Sequence, residues 1–507
     1  MDILWICGSS LLAIVSIYFF LDIFFPSQKK KKLPPSPPAL PICGHLHLLK
    51  LPIHRTFQQL SAKYGPIFYL RLGNRPAIVV SSPLIAEQCF TKNDIIFGDR
   101  PQCIISDHSN FDHAEVTFLA YGDQWRNIRR IMTINIFSST ALKHYSSIRE
   151  EEIRFLVRKL LPADCNGGDP RRVNLKCLFS DLILNMIMKA TTGRRWSDSE
   201  PFNKDVLGSD ISLHLCDFVP FLRRIGFQGF ENQVNYFSEE LKKYLKYLID
   251  EGRKSEADTD NNSSSDNKNK TIIQSLLSLQ KAEPDYYTDN LIMGILTNLF
   301  TAGGETTSST VEWAMALLLN HPEVMEKVRN EIDLNITSER LVEDSDLSKL
   351  SYLHCVINET LRLFPGAPLL VPRVATEDCT LHGFDIPRGT ILVVNCWAIH
   401  RDPNGWKEHT KFIPERFEEA KKESEGSNYL PFGIGRRPCP GAAMATRSVA
   451  ITLATFIQCF EWERVGPELE DLEEGNGVFV LPKAKPLEAY CKPRPCMSAA
   501  LMSPLNI

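Results

Sequence analysis

The most constraining feature of the sequence is a single cysteine set in a loop rich in glycine and proline. Residues 431–442 read Pro-Phe-Gly-Ile-Gly-Arg-Arg-Pro-Cys-Pro-Gly-Ala, and the cysteine is Cys439. Glycine reaches backbone conformations that other residues avoid and proline fixes φ, so such a loop can hold a sulfur atom still and direct backbone N–H groups towards it. These N–H groups and the positive charges of Arg436 and Arg437 favour a thiolate. We therefore predict that the loop presents Cys439 as a fixed thiolate.

Two ordinary explanations compete with this prediction. One cysteine among 14 is usually a small buried hydrophobic residue, and a loop of this composition is usually only a turn. However, Phe432, Gly435, Arg437, Cys439 and Gly441 fit the pattern Phe-x-x-Gly-x-Arg-x-Cys-x-Gly at all five points. This pattern resembles the haem-binding signature of the cytochromes P450. The resemblance implies that Cys439 is the axial ligand of haem b iron, where a thiolate favours cleavage of the O–O bond.

Composition narrows the class of protein. The chain of 507 residues has 43% hydrophobic and 23% charged residues, which is ordinary for a globular protein, and its net charge of -4 gives no reason to expect nucleic acid as a partner. The cysteines form no Cys-x-x-Cys pair, so we expect neither a disulfide framework nor a zinc site, and any haem should be held non-covalently. Length alone would allow two to four domains. Because no linker or repeat divides the chain, we predict one catalytic domain over 42–507.

The N-terminus predicts a membrane anchor. Residues 3–25 are almost wholly apolar, and a run of this length can span a bilayer. Residues 29–32 are four lysines, which place the downstream chain on the cytoplasmic side. A cleaved signal peptide is the alternative, but it requires positive charge before the apolar run, where this chain has Asp2. We predict an anchor at 3–25 and a basic, proline-rich hinge at 26–41, in which the five prolines of residues 33–41 form a stiff spacer.

Three cationic or aromatic residues are candidates for binding the edge of a haem. Trp125 and Arg129 lie four residues apart in a predicted helix and so share one face. A surface cation–aromatic pair would explain this spacing, but the pattern Trp-x-x-x-Arg resembles a P450 motif that implies hydrogen bonds to a haem propionate. Arg373 lies in an extended segment, residues 368–375, and the resemblance implies that it reaches a propionate as well.

The longest helical pattern covers Asp289 to Leu319, with Thr288 as its N-cap. It contains Ala-Gly-Gly-Glu-Thr-Thr at residues 302–307, and each glycine inside a helix costs about 1 kcal/mol relative to alanine. Close packing of helices would explain the glycines. The alternative is that the backbone opens beside the iron and makes space for O₂ and water. Glu305 and Thr306 then form a proton relay, and the block resembles the catalytic motif of the P450 family.

A pair of charged residues points to a buried network. Glu359 and Arg362 are three apart in a helix, an arrangement that is ordinarily a surface ion pair. Downstream, residues 414–417 read Pro-Glu-Arg-Phe. The two segments together resemble the Glu-x-x-Arg and Pro-Glu-Arg-Phe blocks of the P450 family. This implies that Glu359, Arg362 and Arg416 form a buried network behind the haem.

Other patterns complete the predicted architecture. Short apolar runs at 68–72 and 77–80 flank Gly73-Asn74 and predict a β-hairpin. Residues 442–460 predict an apolar helix after the cysteine loop, and the polar stretch 254–270 predicts a solvated loop. The fold implied by the resemblance is mainly α with small β-sheets. It is the P450 fold, a triangular helical prism around haem, here with an N-terminal transmembrane helix.

The resemblance covers essentially the whole chain, which looks like a microsomal plant P450 of the A type. Residues 121–127, 364–368 and 377–379 are similar to the group that contains isoflavone hydroxylases and lignan methylenedioxy-bridge synthases. Arg373 departs from that group, which often has histidine there.

The implied function is a haem-thiolate monooxygenase that uses O₂ and electrons from NADPH–cytochrome P450 reductase. Its substrate would be a lipophilic plant metabolite such as a flavonoid, a lignan or another phenylpropanoid, and its location the endoplasmic reticulum membrane, with the catalytic domain facing the cytosol. A terpenoid substrate is an alternative. A haem-thiolate isomerase or dehydratase that does not use O₂, and a non-catalytic haem protein, are further alternatives, against which the pair Glu305-Thr306 argues.

Overall fold

In the computed structural model, the described residues are 31–104, 115–161, 170–196, 215–260, 270–419 and 428–497, together with residues 10, 13–16 and 107. Most of the predicted anchor at 3–25 and the first part of the predicted hinge lie outside the described residues. Residues 261–269 of the predicted polar loop also lie outside them.

Helices are the main secondary structure of the described chain. They are α1 (Ile53–Tyr64), α2 (Pro83–Phe90), α3 (Asp123–Asn135), α4 (Ser139–His144), α5 (Ser146–Leu160), α6 (Leu175–Thr192), α7 (Leu215–Phe218), α8 (Pro220–Arg224), α9 (Phe230–Asp260), α10 (Ile272–Ala282), α11 (Asp289–Asn320), α12 (Pro322–Asn335), α13 (Ser351–Leu363), α14 (Cys396–Ile399), α15 (Arg416–Glu419) and α16 (Ala442–Cys459).

The strands form three small sheets, so the predicted class, mainly α with small β-sheets, is confirmed. They are β1 (Ile67–Leu72), β2 (Arg75–Val80), β3 (Arg171–Asn174), β4 (Arg373–Val374), β5 (Cys379–Leu381), β6 (Phe384–Ile386), β7 (Ile391–Val394), β8 (Phe460–Arg464) and β9 (Glu488–Pro493). The sheets have the orders β1-β2-β7-β4, β3-β9-β8 and β5-β6. The predicted hairpin is confirmed, with Leu72 opposite Arg75 across its turn.

Helix α11 runs through the centre of the helical layer. It packs against α6, α9, α13 and α16, and its residues 291–300 and 307–319 are buried. The predicted N-cap is confirmed, because the Thr288 side chain accepts a hydrogen bond from the Leu291 N–H at 3.3 Å. The helix ends before His321-Pro322, where proline cannot continue it.

The predicted helix after the cysteine loop is α16, which ends at Cys459 because Phe460 begins β8. Among the described residues it is the one helix apolar and long enough to cross a membrane. Its residues 448–459 are all buried inside the protein. Its apolar composition therefore reflects a position in the core.

Part of the predicted proline spacer is docked on the folded body. Pro34 and Pro37 are buried, and the Pro35 carbonyl accepts a hydrogen bond from the Tyr69 N–H at 2.8 Å. Tyr69 lies on the edge strand β1, whose N–H groups need an acceptor. Lys31 and Lys32 also bond to the body, at Asp378 and Asp385, so the described part of the hinge contacts the folded domain from residue 31 onwards.

The prediction of a solvated loop over 254–270 is wrong for its first part. Helix α9 continues to Asp260. Lys254 pairs with Glu251 at 2.9 Å, and Glu256 pairs with Lys281 of α10 at 2.7 Å. This polar stretch lacks the regularly spaced apolar residues of an amphipathic helix. The two ion pairs stabilise its charged side chains in the helical conformation, and the helix can therefore extend into it.

Candidate haem site

A cavity of about 320 Å³ lies between α11 on one side and the cysteine loop, residues 431–441, on the other. Its wall is mostly apolar and is completed by α3, α16 and the segment around β4. All seven residues predicted to bind the cofactor line it, namely Trp125, Arg129, Arg373, Phe432, Arg437, Cys439 and Gly441. The structure thus brings together residues that are more than 300 positions apart in the chain.

Cys439 is surrounded by protein, but its side chain is exposed towards the cavity. Burial raises the pKa of the Cys439 thiol, while a hydrogen bond from the Gly441 N–H and the charge of Arg129 lower it in part. A bound metal ion would remove the thiol proton outright. The cation that lowers the pKa of Cys439 is Arg129, which the prediction of a thiolate favoured by Arg436 and Arg437 did not include.

Those two arginines have other partners because of the way the cysteine loop packs. The Arg436 guanidinium donates to the Tyr121 hydroxyl at 3.0 Å and lies 3.6 Å from Asp94 Oδ2. Arg437 donates to the backbone carbonyls of Gly98, at 2.5 Å, and Leu119. Both side chains therefore tie the cysteine loop to the chain before α3.

Asp94 holds the cysteine loop from the side of α2, and the sequence analysis did not identify it. Its Oδ2 accepts from the Arg436 N–H at 2.8 Å, and its Oδ1 accepts from the Arg373 guanidinium at 3.0 Å. Gly435 has φ of +79°, and a Cβ there would lie 2.7 Å from Asp94 Oδ1 and from the Phe90 carbonyl oxygen. Only glycine fits at this position.

Four arginines lie on one wall of the cavity: Arg100, Arg129, Arg373 and Arg437. Burial, with the charge of Arg373, lowers the pKa of Arg437 to about 10. Burial and the charges of Arg437 and Arg373 lower the pKa of Arg100 well below its ordinary value. A concentration of buried positive charge is stabilised by an anionic ligand. The sequence analysis did not predict Arg100 as a cavity residue, because it lies in an irregular stretch without the helical or strand periodicity that would show which way its side chain points.

Trp125 and Arg129 lie one turn apart on α3, as their spacing predicts. Trp125 is 5% exposed and Arg129 is half-buried, so the explanation as a surface pair is wrong. The Arg437 guanidinium lies over the Trp125 ring, 4.8 Å from its centroid. Helix α3 therefore faces the cavity with an aromatic ring and a guanidinium that are both close to the cysteine loop.

Helix α11 covers the opposite side of the cavity with Ala302, Gly303 and Thr306. Ala302 is exposed, although the residues of α11 that precede and follow this segment, 291–300 and 307–319, are buried. The expected opening of the backbone is absent here, because α11 is continuous and the Thr306 hydroxyl donates to the Ala302 carbonyl at 2.7 Å. A Cβ on Gly303 would lie 3.2 Å from Ile187 Cδ1, so close packing accounts for this glycine. A Cβ on Gly304 would meet no atom within 4 Å.

The two residues of the predicted relay lie on different sides of α11. Thr306 lines the cavity, whereas Glu305 is exposed outside it. Successive residues on a helix point about 100° apart, so neighbours in sequence do not share a face. Glu305 can therefore take part only from the outer end of a proton path.

The predicted buried network is confirmed; we call Glu359, Arg362 and Arg416 the Glu359 network. Arg362 donates to both carboxylate oxygens of Glu359, at 2.7 and 2.8 Å, and Arg416 donates to the same carboxylate at 3.0 Å. Glu359 and Arg362 are both 0% exposed. This arrangement rules out the ordinary surface ion pair.

These features fit haem b. A cysteine sulfur faces an apolar cavity from one side, and a helix with a small-residue face covers the other. The four arginines on a third wall match the two carboxylates of a haem b edge. No covalent attachment is needed to hold such a group.

Comparisons with known proteins point the same way. The profile of the family described as Cytochrome P450 matches residues 34–488. The chain is 46% identical to cytochrome P450 81Q32 of Catharanthus roseus, over 95% of this chain and 96% of the relative. It is 41% identical to (+)-piperitol/(+)-sesamin synthase of Sesamum radiatum, over 98% of this chain and 99% of the relative.

Two further comparisons extend this result. The chain is 40% identical to isoflavone 3'-hydroxylase of Medicago truncatula, over 96% of this chain and 97% of the relative. The solved structure of a zebrafish cytochrome P450 with progesterone matches with a TM-score of 0.73 and 28% identity, over 88% of this chain and 100% of that chain. The chain therefore belongs to the cytochrome P450 family, and it is a haem b monooxygenase that uses O₂ and NADPH-derived electrons delivered through a reductase.

Proposed function

We propose that the chain oxygenates, or oxidatively cyclises, a phenolic metabolite of the flavonoid, lignan or related phenylpropanoid type. The named relatives that support this are a piperitol/sesamin synthase and isoflavone hydroxylases. Their identity of about 40% supports the substrate class but leaves the individual compound open to experiment.

The observation that carries the proposal is a polar pair in the wall of the cavity. The Thr117 hydroxyl donates to the Asn298 side-chain oxygen, and both residues line the cavity. Asn298 Nδ2 donates to the Gly294 carbonyl at 2.6 Å. This leaves a second amide hydrogen on Asn298 and acceptor capacity on the Thr117 oxygen.

A phenolic hydroxyl both donates and accepts, and it can therefore satisfy both groups. A methyl ether can only accept, and a hydrocarbon terpenoid can do neither. We therefore expect the pair to hold a phenol-bearing ring in the cavity, with the rest of the molecule in contact with apolar side chains.

Each cavity residue has a proposed role. Cys439 would ligate the iron of haem b, and Phe432 and Gly441 would shape the loop around it. Trp125, Arg129, Arg373 and Arg437 would hold the propionates, and we assign the same role to Arg100 because it lines the same cavity. Thr306, which lines the cavity, would pass on a proton through its hydroxyl, with the exposed Glu305 at the outer end of the path. The haem supplies oxygen activation, and the chain supplies its ligand, its charge partners and a path for protons.

We further propose that residues 3–25 anchor the protein in the endoplasmic reticulum membrane, with the catalytic domain, residues 42–507, in the cytosol. The support is the apolar run followed by four lysines in the sequence. NADPH–cytochrome P450 reductase is the proposed electron donor, docking on the side of the cysteine loop. Protease protection of the full chain in microsomes tests the orientation, because cleavage of the catalytic domain from the cytosolic side is expected.

The first test of the site is the CO-difference spectrum of the reduced protein beside a Cys439→Ala variant. A red-shifted, thiolate-type Soret band that is lost in the variant is expected. A band of the histidine-ligated type in both proteins, with haem retained, would refute the assignment of Cys439.

The test of the substrate class compares matched ligands. Isoflavones and lignans with a free phenol, their methyl ethers and a set of terpenoids are offered to the full chain with reductase, and products are measured by mass spectrometry. We expect turnover of phenols, and an Asn298→Leu variant should bind them about tenfold more weakly, as expected for the loss of one hydrogen bond. Turnover restricted to terpenoids, or an unchanged preference in the variant, would refute the proposal.

A further inference from the structure

The chain enters the cysteine loop through Leu430, and helix α14 holds both polar groups of this residue's backbone. His400 Nε2, at the C-cap of α14, accepts a hydrogen bond from the Leu430 N–H at 2.7 Å. The Cys396 thiol, at the start of α14, donates to the Leu430 carbonyl at 3.3 Å. Cys396 and His400 are both 0% exposed, and Leu430 is 2% exposed. Water therefore cannot replace either contact.

The contact with Leu430 determines which nitrogen of His400 carries the hydrogen. A backbone N–H can only donate, so Nε2 must be the unprotonated nitrogen and Nδ1 the donor. Nδ1 lies 3.2 Å from the Arg362 carbonyl oxygen, which accepts this hydrogen bond. Burial and the charges of Arg362 and Arg401 lower the pKa of His400 to about 3, so the ring stays neutral at physiological pH.

His400 is joined to the Glu359 network twice. Its ring donates to the Arg362 carbonyl, and its own carbonyl accepts from the Arg362 guanidinium at 2.8 Å. Arg362 is held in turn by the Glu359 carboxylate. A continuous set of hydrogen bonds thus runs from Glu359 through Arg362 and His400 to Leu430.

From Leu430 the contacts continue into the cysteine loop. The Leu430 carbonyl also accepts from the Gly433 N–H at 3.1 Å, and the Phe432 carbonyl accepts from the Cys439 N–H at 2.8 Å. A displacement of Leu430 would therefore move the turn that carries Cys439. A ligand must be held to within about 0.5 Å for productive geometry, so this entry point has to be rigid.

We propose that His400 is a positioning residue for the thiolate ligand, which fastens the entry of the cysteine loop to the Glu359 network, and that Cys396 completes this attachment. The inference rests on the proposed role of Cys439 as the iron ligand. It assigns a function to a histidine that the sequence analysis did not single out, the first residue of the run His-Arg-Asp-Pro at 400–403. It also explains why a buried thiol and a buried imidazole lie together at the start of the loop.

The test compares His400→Phe with His400→Gln in the full-length protein. Phenylalanine keeps the ring volume and leaves the Leu430 N–H without its acceptor, whereas glutamine can accept from that N–H and donate to the Arg362 carbonyl. The readouts are the haem content, the CO-difference spectrum and the reduction potential of the iron. At equal haem content, we expect His400→Phe to lose more than half of the thiolate-type band and His400→Gln to recover most of it.

A matched control separates positioning from general destabilisation. His45 is also buried, at 1% exposed, and its Nδ1 likewise accepts from a backbone N–H, that of Arg71, at 2.7 Å. Its Nε2 donates to the Pro37 carbonyl at 2.8 Å, so neither partner lies in α14 or the cysteine loop. His45→Phe should lower the melting temperature with an unchanged thiolate-type band. If His400→Phe keeps the full band and an unchanged potential, or if His45→Phe loses the band equally, the inference is overturned.

A milder variant keeps the test decisive if His400→Phe does not take up haem. Cys396→Ala removes the donor to the Leu430 carbonyl and the sulfur that lies 3.3 Å from His400 Nε2. Its thiolate-type band should disappear on warming faster than that of His45→Phe. An equal or slower rate overturns the inference. Cys439→Ala distinguishes the two proposals, because a thiolate-type band in that variant refutes the ligand assignment itself.

Discussion

Replacing Glu359 by glutamine should lower the free energy of unfolding by about 3–5 kcal/mol, the cost of breaking a buried ion pair. Oε1 of Glu359 accepts from Arg362 at 2.8 Å, from the Ile413 N–H at 2.9 Å and from Arg416 at 3.0 Å. Oε2 accepts from Arg362 Nε at 2.7 Å. Glutamine can keep the first oxygen, but it turns an NH₂ group towards Arg362 and removes the negative charge between two guanidiniums.

The measurement is urea unfolding of the haem-loaded protein, followed by tryptophan fluorescence, with haem content recorded beside it. The control is Asp123→Asn, which removes a carboxylate from a pair on α3 whose Asp123 side chain is 91% exposed. This variant should be indistinguishable from the parent, since solvent screens exposed pairs. Equal unfolding midpoints for Glu359→Gln and the parent would refute the reasoning that the network is held by charge.

Three further predictions follow from the structure. Gly435→Ala should destabilise the protein by about 1–3 kcal/mol more than Gly433→Ala. Both glycines have positive φ, but of the two only Gly435 has atoms within 4 Å that a Cβ would meet. Equal unfolding midpoints for the two variants would contradict this prediction. Thr306→Ala should consume NADPH and release peroxide in place of product, with haem content unchanged. Thr301→Ala removes the same kind of hydrogen bond, from a threonine hydroxyl to the carbonyl four residues earlier, but outside the cavity wall, and it should keep normal turnover. If Thr306→Ala converts all of the NADPH it consumes into product, the relay assignment is refuted. Burial alone would raise the pKa of Glu474, but its hydrogen-bonded and charged partners lower it from 4.5 to about 2. This shift corresponds to about 3 kcal/mol of stability, which is complete above pH 4.5 and is lost as the pH falls towards 2. The stability difference between the parent and Glu474→Gln should therefore shrink over that range, and a constant difference would contradict the assignment.

Several parts of the site could be predicted because local patterns encode them. The cysteine loop is marked by five residues within ten positions, and α11 is marked by its length and its cap. The pair Glu359 and Arg362 needed a second segment, around Arg416, before burial could be preferred to a surface position. In each case the relevant residues lie close together in the chain or belong to a recognisable block.

Other parts could not be predicted because they depend on contacts between distant segments. Asp94 meets Arg373 across 279 positions, and it meets the Arg436 backbone across 342. Arg100 has no periodic neighbours to mark its face. His400 reaches Leu430 only because α14 follows the central strand β7 and ends beneath the cysteine loop.

The sequence by itself determined the chemistry of this protein: a thiolate loop, a helix with small residues and a threonine for the opposite face, and charged residues for a buried network. Only the tertiary structure decided where each side chain acts. It placed Thr306 in the cavity and its neighbour Glu305 outside, because adjacent helical residues point in different directions. It also turned Arg436 towards Asp94, since a buried carboxylate requires a charged partner. Residue type sets what a group can do, and the packing of remote segments sets what it can reach.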